Sequence, residues 1–218
     1  RRRHRTSRLG HAPTVLRRRV GTLLLLALTL FFGAIALAIF GHHPAALAGF
    51  DASLAESLHQ QLPRRALRLI AGVTHLGDDV WVASVAAVVL LVLLLRRYWQ
   101  LARAWAVALL GILPINGGLK ALFQRARPLH DHGFGIEPGW SFPSGHAFGA
   151  VVFYGMLAYV LLRLSPRFHR LIIAASLLLI GMVGISRILL QVHYFSDVLA
   201  GYTAGAAWLV LCIGAVET

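Results

Sequence analysis

Three polar clusters interrupt an otherwise apolar chain, and their side chains are of the kinds that hold an anion and activate a histidine. The first is Lys120, then six residues, then Arg127-Pro128. Lys120 is the only lysine among 21 basic residues, so a chain that uses arginine everywhere else has kept one compact ammonium there. An interfacial lysine with a nearby arginine has the same spacing and stands as the alternative. The second cluster is Pro143-Ser144-Gly145-His146, just before an apolar run. Ser144 suits a helix N-cap, Gly145 lets a ligand approach the backbone, and the unpaired first-turn N–H groups at the positive helix end attract anions. The strand-turn-helix setting of a nucleophile elbow is missing, which argues against Ser144 as a nucleophile; simple capping, with His146 at the interface, is the other reading. The third cluster is Ser186-Arg187, five residues, His193, three residues, Asp197. If a helix has begun by His193, Asp197 lies one turn along and its carboxylate can accept from the imidazole. Such a pair fixes the tautomer and raises the basicity of the free nitrogen, as a nucleophile or general base requires. A His–Asp pair that only caps a helix has the same spacing.

The elements that must position these clusters are membrane helices. Hydrophobic residues make up 58% of the 218-residue chain and charged residues 13%, which does not describe a soluble surface. A formal charge of +13 would point to nucleic acid in a soluble protein. Here the basic residues lie mostly at the ends of apolar runs, so no nucleic-acid partner is expected. A bilayer core about 30 Å thick takes roughly 20 apolar residues as helix, and six runs qualify: 20–40, 80–95, 101–122, 147–162, 171–185 and 198–215. The fold expected is therefore all-α, a bundle of six transmembrane helices.

Orientation follows from the arginines. Eight precede the first run, three (Arg96, Arg97, Arg103) follow the second and three (Arg163, Arg167, Arg170) follow the fourth. The opposite side carries seven basic residues and every acidic residue except Glu217. Retained Lys and Arg mark the cytoplasmic side, so both termini are expected to be cytoplasmic and all three clusters extracytoplasmic. Between the first two runs, in segment 45–62, Leu47, Phe50, Leu54, Leu58 and Leu62 recur at helical spacing opposite Asp51, Glu56 and Gln60. This predicts an amphipathic extracytoplasmic helix, lying on the membrane surface or packed on the bundle. Residues 1–19 read as a basic tail held by anionic lipid, and 20–218 as one membrane domain. Cys212, the single cysteine, is expected to be helix filler.

Lys120-x6-Arg127-Pro128, Pro143-Ser144-Gly145-His146 and Ser186-Arg187-x5-His193-x3-Asp197, in this order and at helix ends on one side, resemble the complete three-part signature of the type 2 phosphatidic acid phosphatase superfamily, in its bacterial membrane branch. No position departs from the family pattern. The resemblance implies a plasma-membrane lipid phosphatase in which His193 attacks phosphorus and becomes a phosphohistidine, Asp197 orients it, and His146 protonates the leaving oxygen and then activates water. It also implies that Lys120, Arg127 and Arg187, with the Ser144 hydroxyl and the Gly145 N–H, hold the phosphoryl oxygens. A phosphoryl group in flight spreads charge over three equatorial oxygens, and three cations from three segments meet that need without a metal or other cofactor. The pocket candidates, two histidines and one carboxylate, already have roles, so no metal site is expected.

His42, His43, His59, His75, His130 and His132 are expected at the surface. The expected partners are the bilayer and a lipid phosphate of the undecaprenyl diphosphate, phosphatidylglycerol phosphate, phosphatidic acid or diacylglycerol diphosphate type, with undecaprenyl diphosphate favoured in a bacterial membrane. The contacts that separate these substrates are expected in 50–76 and 129–140. A lipid phosphotransferase using the same covalent step, and a non-catalytic lipid-phosphate binder, are the alternative functions; oligomeric state is not set by the sequence.

Overall fold

In the computed structural model, residues 14–41, 45–129, 133–134 and 137–217 are described, and the regular structure among them is helical throughout. The helices are α1 (Thr14–Phe40), α2 (Ala45–Gln61), α3 (Arg64–Thr74), α4 (Asp79–Leu95), α5 (Trp99–Leu110), α6 (Ile112–Phe123), α7 (Gly145–Leu164), α8 (His169–Leu189) and α9 (Phe195–Val216). Long runs of Leu, Val and Ala become helices because lipid offers no partner to a backbone N–H or C=O, and a helix satisfies both within itself. Among the described residues six helical segments are long and apolar enough to cross a membrane: Arg18–Phe40, Arg64–Leu95, Trp99–Phe123, Gly145–Leu164, Pro166–Leu189 and Phe195–Val216. Leu30, Leu37, Val88, Leu110 and Leu171 on their outer faces are each more than 60% exposed, a sheath suited to hydrocarbon.

Two segments differ from the expected runs. The second begins at Arg64, because α3 and a 3-10 turn at His75–Gly77 precede α4. The α3 helix is amphipathic: Arg64, Arg65 and Arg68 are exposed, while Leu67 packs on Leu190 and Val192. It therefore lacks the all-round hydrophobicity by which a span is recognised. The third expected run is two helices divided at Gly111. Pro114 has no N–H to offer the carbonyl of Leu110 four residues back, so the ladder fails at that point.

The α7 helix is the central post, packed against α5, α6, α8 and α9. Trp105, Phe148, Phe153 and Met156 build the core beside it. The Trp105 and Trp208 indoles stitch neighbouring helices by donating to the Ala86 and Ala108 carbonyls at 3.0 and 2.9 Å. The α9 backbone comes close to the start of α7, where Gly201 and Gly205 sit one turn apart. A Cβ on Gly201 would lie 2.6 Å from the Ser144 carbonyl oxygen, and one on Gly205 2.8 Å from that of Phe148. Small residues at this spacing let two membrane helices touch backbone to backbone.

Arg163 at the end of α7 lies 3.5 Å from Glu217 after α9. The polar clusters gather at the opposite end. There α2 packs on α1 and α9, and it departs from the expected pattern in one respect: Asp51, assigned by periodicity to the polar outer face, is buried at 1% exposure. Residues 1–13 of the expected tail lie outside the described residues, as do His42, His43, His130 and His132, and α1 already begins at Thr14.

Candidate active site

Two helix starts and two loops meet at this end. Ser144 caps α7, its Oγ accepting from the Ala147 N–H at 3.4 Å, and its own N–H donates to the Asp197 carbonyl at 3.0 Å. Tyr194 caps α9, and Asp197, three residues on, accepts the Tyr194 N–H at 2.9 Å. His193 therefore precedes α9 and does not belong to it. The loop nevertheless brings its Nδ1 to 3.6 Å from Asp197 Oδ2, longer than a hydrogen bond. Ser141 Oγ bridges the gap by donating to Asp197 while lying 3.4 Å from Nδ1. On the other side of the ring, Arg127 Nη1 lies 3.1 Å from Nε2. A guanidinium can only donate, so Nε2 is the unprotonated nitrogen and the ring proton sits on Nδ1, toward Ser141 and Asp197.

The cations come from separate segments. Arg127 donates to the carbonyls of Val192 (2.8 Å), Gly139 (3.0 Å), Trp140 (3.2 Å) and Pro138 (3.3 Å), and Lys120 Nζ donates to the Trp140 carbonyl at 2.9 Å. Both thus hold the 138–140 loop over the site. Arg187 is buried; its Nη1 donates to Thr74 Oγ1 at 2.5 Å and its Nη2 to the Glu137 carboxylate. Arg187 Nε and the Asn116 amide nitrogen are buried donors with no hydrogen-bond partner among the described residues.

His146 lies between two carboxylates, with Nε2 3.1 Å from Asp78 Oδ1 and Nδ1 3.4 Å from Glu137 Oε1. Gly77 permits this approach, since a Cβ there would come within 2.9 Å of the His146 ring. Glu137 is the hub. Besides Arg187 and His146, its carboxylate reaches Arg127 at 3.5 Å and His193 Nε2 at 3.8 Å. Burial alone would raise its pKa, but the Arg187 guanidinium beside it holds the carboxyl well below the usual range.

Behind the histidine, Arg125 joins two buried carboxylates. It lies 2.6 Å from Asp197 Oδ1 and 2.8 Å from Asp51 Oδ2. Burial opposes its charge, yet Asp197 and Asp51 raise its pKa above the ordinary value.

In front lies a cavity of about 510 Å³, lined by Asp78, Lys120, Arg127, Glu137, Gly145 and His146 at its polar end and by Val82, Ile112 and Leu113 at its apolar end. Glu137 and Arg127 on its wall connect it to the two groups behind: Glu137 pairs with Arg187, and Arg127 lies 3.1 Å from His193. Among the described residues no group of three or more His, Cys, Asp or Glu side chains is placed to hold a metal ion.

Residues 98–218, which include all three clusters, match the PAP2 superfamily. The chain belongs to the PAP2 superfamily. It is 29% identical over 159 residues to phosphatidylglycerophosphatase B of Bacillus subtilis, covering 67% of this chain and 73% of that protein. A lipid A 1-phosphatase of Rhizobium johnstonii is 35% identical over 102 residues, 43% of this chain and 38% of that protein. The crystal structure of a transmembrane PAP2-type phosphatidylglycerolphosphate phosphatase from Bacillus subtilis superposes with a TM-score of 0.80 at 26% identity, covering 87% of this chain and 94% of that one.

All eight residues singled out in this PAP2 sequence, Lys120, Arg127, Ser144, Gly145, His146, Arg187, His193 and Asp197, converge on one end of the bundle. The same end also holds Glu137, Asp78, Ser141, Arg125 and Asp51, which the three motifs do not contain. Arg125 carried a weak signal as a second arginine two residues before Arg127, and Asp78 as an acidic residue at the start of a span.

Proposed function

We propose that this PAP2 protein removes the terminal phosphate from a lipid phosphate at the extracytoplasmic face, through a phosphohistidine on His193. The observation that carries the reading is the setting of the His193 ring: Nε2 faces Arg127 at 3.1 Å, while Asp197 and Ser141 lie along the opposite edge. In the first step the Nε2 lone pair forms a bond to phosphorus, the P–O bond to the lipid breaks, and His146 gives a proton to the departing oxygen. In the second step His146 takes a proton from water, the water oxygen bonds to phosphorus, and the P–N bond breaks to release orthophosphate.

Arg127, Arg187 and Lys120 supply positive charge to the transferring group. The Ser144 hydroxyl, whose lone pair serves as the cap, keeps its proton for a phosphoryl oxygen, and the Gly145 N–H lies at the positive end of α7. Phosphate entering this set of cations displaces the Glu137 carboxylate. No step requires a metal. The apolar end of the cavity, Val82, Ile112 and Leu113, suits the start of a lipid tail. The likeness to a protein named phosphatidylglycerophosphatase B favours a phosphatidylglycerol phosphate type of substrate over undecaprenyl diphosphate.

The test is orthophosphate release by the detergent-purified protein, with EDTA present, from phosphatidylglycerol phosphate, undecaprenyl diphosphate and phosphatidic acid. Release that falls more than about 10³-fold in His193→Ala supports the reading. Release unchanged in the variant, or no release from any substrate, overturns it. Intact cells given a short-chain lipid phosphate test the orientation, since an outward site frees orthophosphate into the medium.

A further inference from the structure

We propose that Asp51 and Arg125 are positioning residues that set the charge behind His193 by way of Asp197, and so couple the docking of α2 to the reactivity of the nucleophile. The inference rests on the phosphohistidine reading above. It starts from an oddity: α2 is an amphipathic helix, yet it buries a carboxylate. Asp51 is at 1% exposure and Asp197 at 0%. Arg125 spans them, its Nη2 2.8 Å from Asp51 Oδ2 and its Nη1 2.6 Å from Asp197 Oδ1. Ser196 locks the arrangement: its N–H donates to Asp51 Oδ1 at 3.1 Å, its hydroxyl donates to Asp51 Oδ2, and its Oγ accepts from Arg125 Nη1 at 2.8 Å. The guanidinium also lies over the Tyr194 ring, 4.1 Å from its centre.

Docking a helix does not require this chemistry, because apolar side chains of similar volume dock at least as well as a buried ion pair. The charge count supplies a reason. Two carboxylates and one guanidinium leave a buried cluster with one net negative charge. The groups that face Asp197 from the packed elements are Arg125 from the loop after α6, His193 and the Tyr194 N–H from the loop before α9, and the Ser141 hydroxyl from the loop before α7. Among these, His193 alone changes charge during the proposed reaction, gaining one positive charge when it takes the phosphoryl group. The surplus anion matches that gain. Without Asp51, Arg125 would neutralise Asp197 completely, and the Nδ1 edge of the ring would face a neutral pair, while Arg127 and Glu137 beside Nε2 stay as they are.

The experiment measures kcat/KM against pH, for orthophosphate release from one lipid phosphate, in the parent protein, Asp51→Asn and Asp51→Asn/Arg125→Gln, with His193→Ala as the reference for background. Asp51→Asn is expected to lower the plateau about tenfold and to move the acid limb down by about one pH unit, because a cationic His193 is less well stabilised. The double variant restores the single net negative charge, so its limb returns to the parent position or above it. A purely structural role leaves the limb in place and makes the double variant worse than the single. If Asp51→Asn does not fold, a folded double variant with the parent limb still supports charge balance, and a double variant that also fails to fold overturns it. A parent without His193-dependent release overturns the reading beneath the inference. Such release together with an unmoved limb in Asp51→Asn overturns the inference alone.

Discussion

Glu137 presents the main puzzle at the scale of single residues. Its carboxylate touches Arg187, Arg127, His146 and His193, the partners that the proposed mechanism gives to a phosphoryl group. A carboxylate among these groups is a competitor for any incoming anion. Glu137→Gln keeps the shape and removes the charge, so orthophosphate should inhibit the variant about tenfold more strongly, which corresponds to about 1.4 kcal/mol. An inhibition constant measured for both proteins checks this, and equal or weaker inhibition of the variant would contradict it. The eight motif residues were legible because type and spacing along the chain carried them. Glu137 was not, for two physical reasons. Its partners Arg187 and His193 lie 50 and 56 positions away, and it is one of seven acidic residues on the outer side, where an acidic residue is unremarkable.

At the scale of elements, chemistry depends on how closely α9 approaches the start of α7. Gly201 lies against the Ser144 carbonyl, and Ser144 in turn donates its N–H to the Asp197 carbonyl. A side chain at 201 would push apart the cap that carries Ser144, Gly145 and His146 and the turn that carries His193 and Asp197. Gly201→Ala is expected to cost about 1–3 kcal/mol of stability through overpacking and to lower kcat by more than about tenfold. Thermal unfolding and turnover of the purified variant test both, and wild-type kcat with a lowered melting temperature would confine the role of Gly201 to packing. Six apolar runs were readable because lipid demands long, uncharged helices. The extra helix α3 and the break at Gly111 were less so. Basic residues on the outer face of α3 hide its apolar stripe in a hydropathy sum, and a proline within an apolar run does not change that sum.

Among the described residues the three polar clusters lie at one end of the molecule, with Arg97 and Arg163 together at the other. Arg163 and Glu217 close the far end, while the three clusters, α2 and α3 gather at the site end. Among the described residues six helical segments are long and apolar enough to cross a membrane, and six crossings would return the chain to the side it started from. Depth also matters. The cavity runs from charged groups at Lys120 and Glu137 to apolar Val82 and Leu113, so a headgroup and the first part of its tail meet surfaces of their own polarity. Sequence alone indicated this division between ends, but not which carboxylates balance the cations, because those pairs form only when six helices are packed.

The most direct test of the central claim is to mix the purified protein with a lipid carrying ³²P in its terminal phosphate and quench within milliseconds to seconds. A phosphohistidine on His193 predicts label bound to protein, stable to alkali, released by acid, and missing from His193→Ala. Rapid release of labelled orthophosphate by the parent, with no protein-bound label at any quench time and turnover persisting in His193→Ala, would contradict the account.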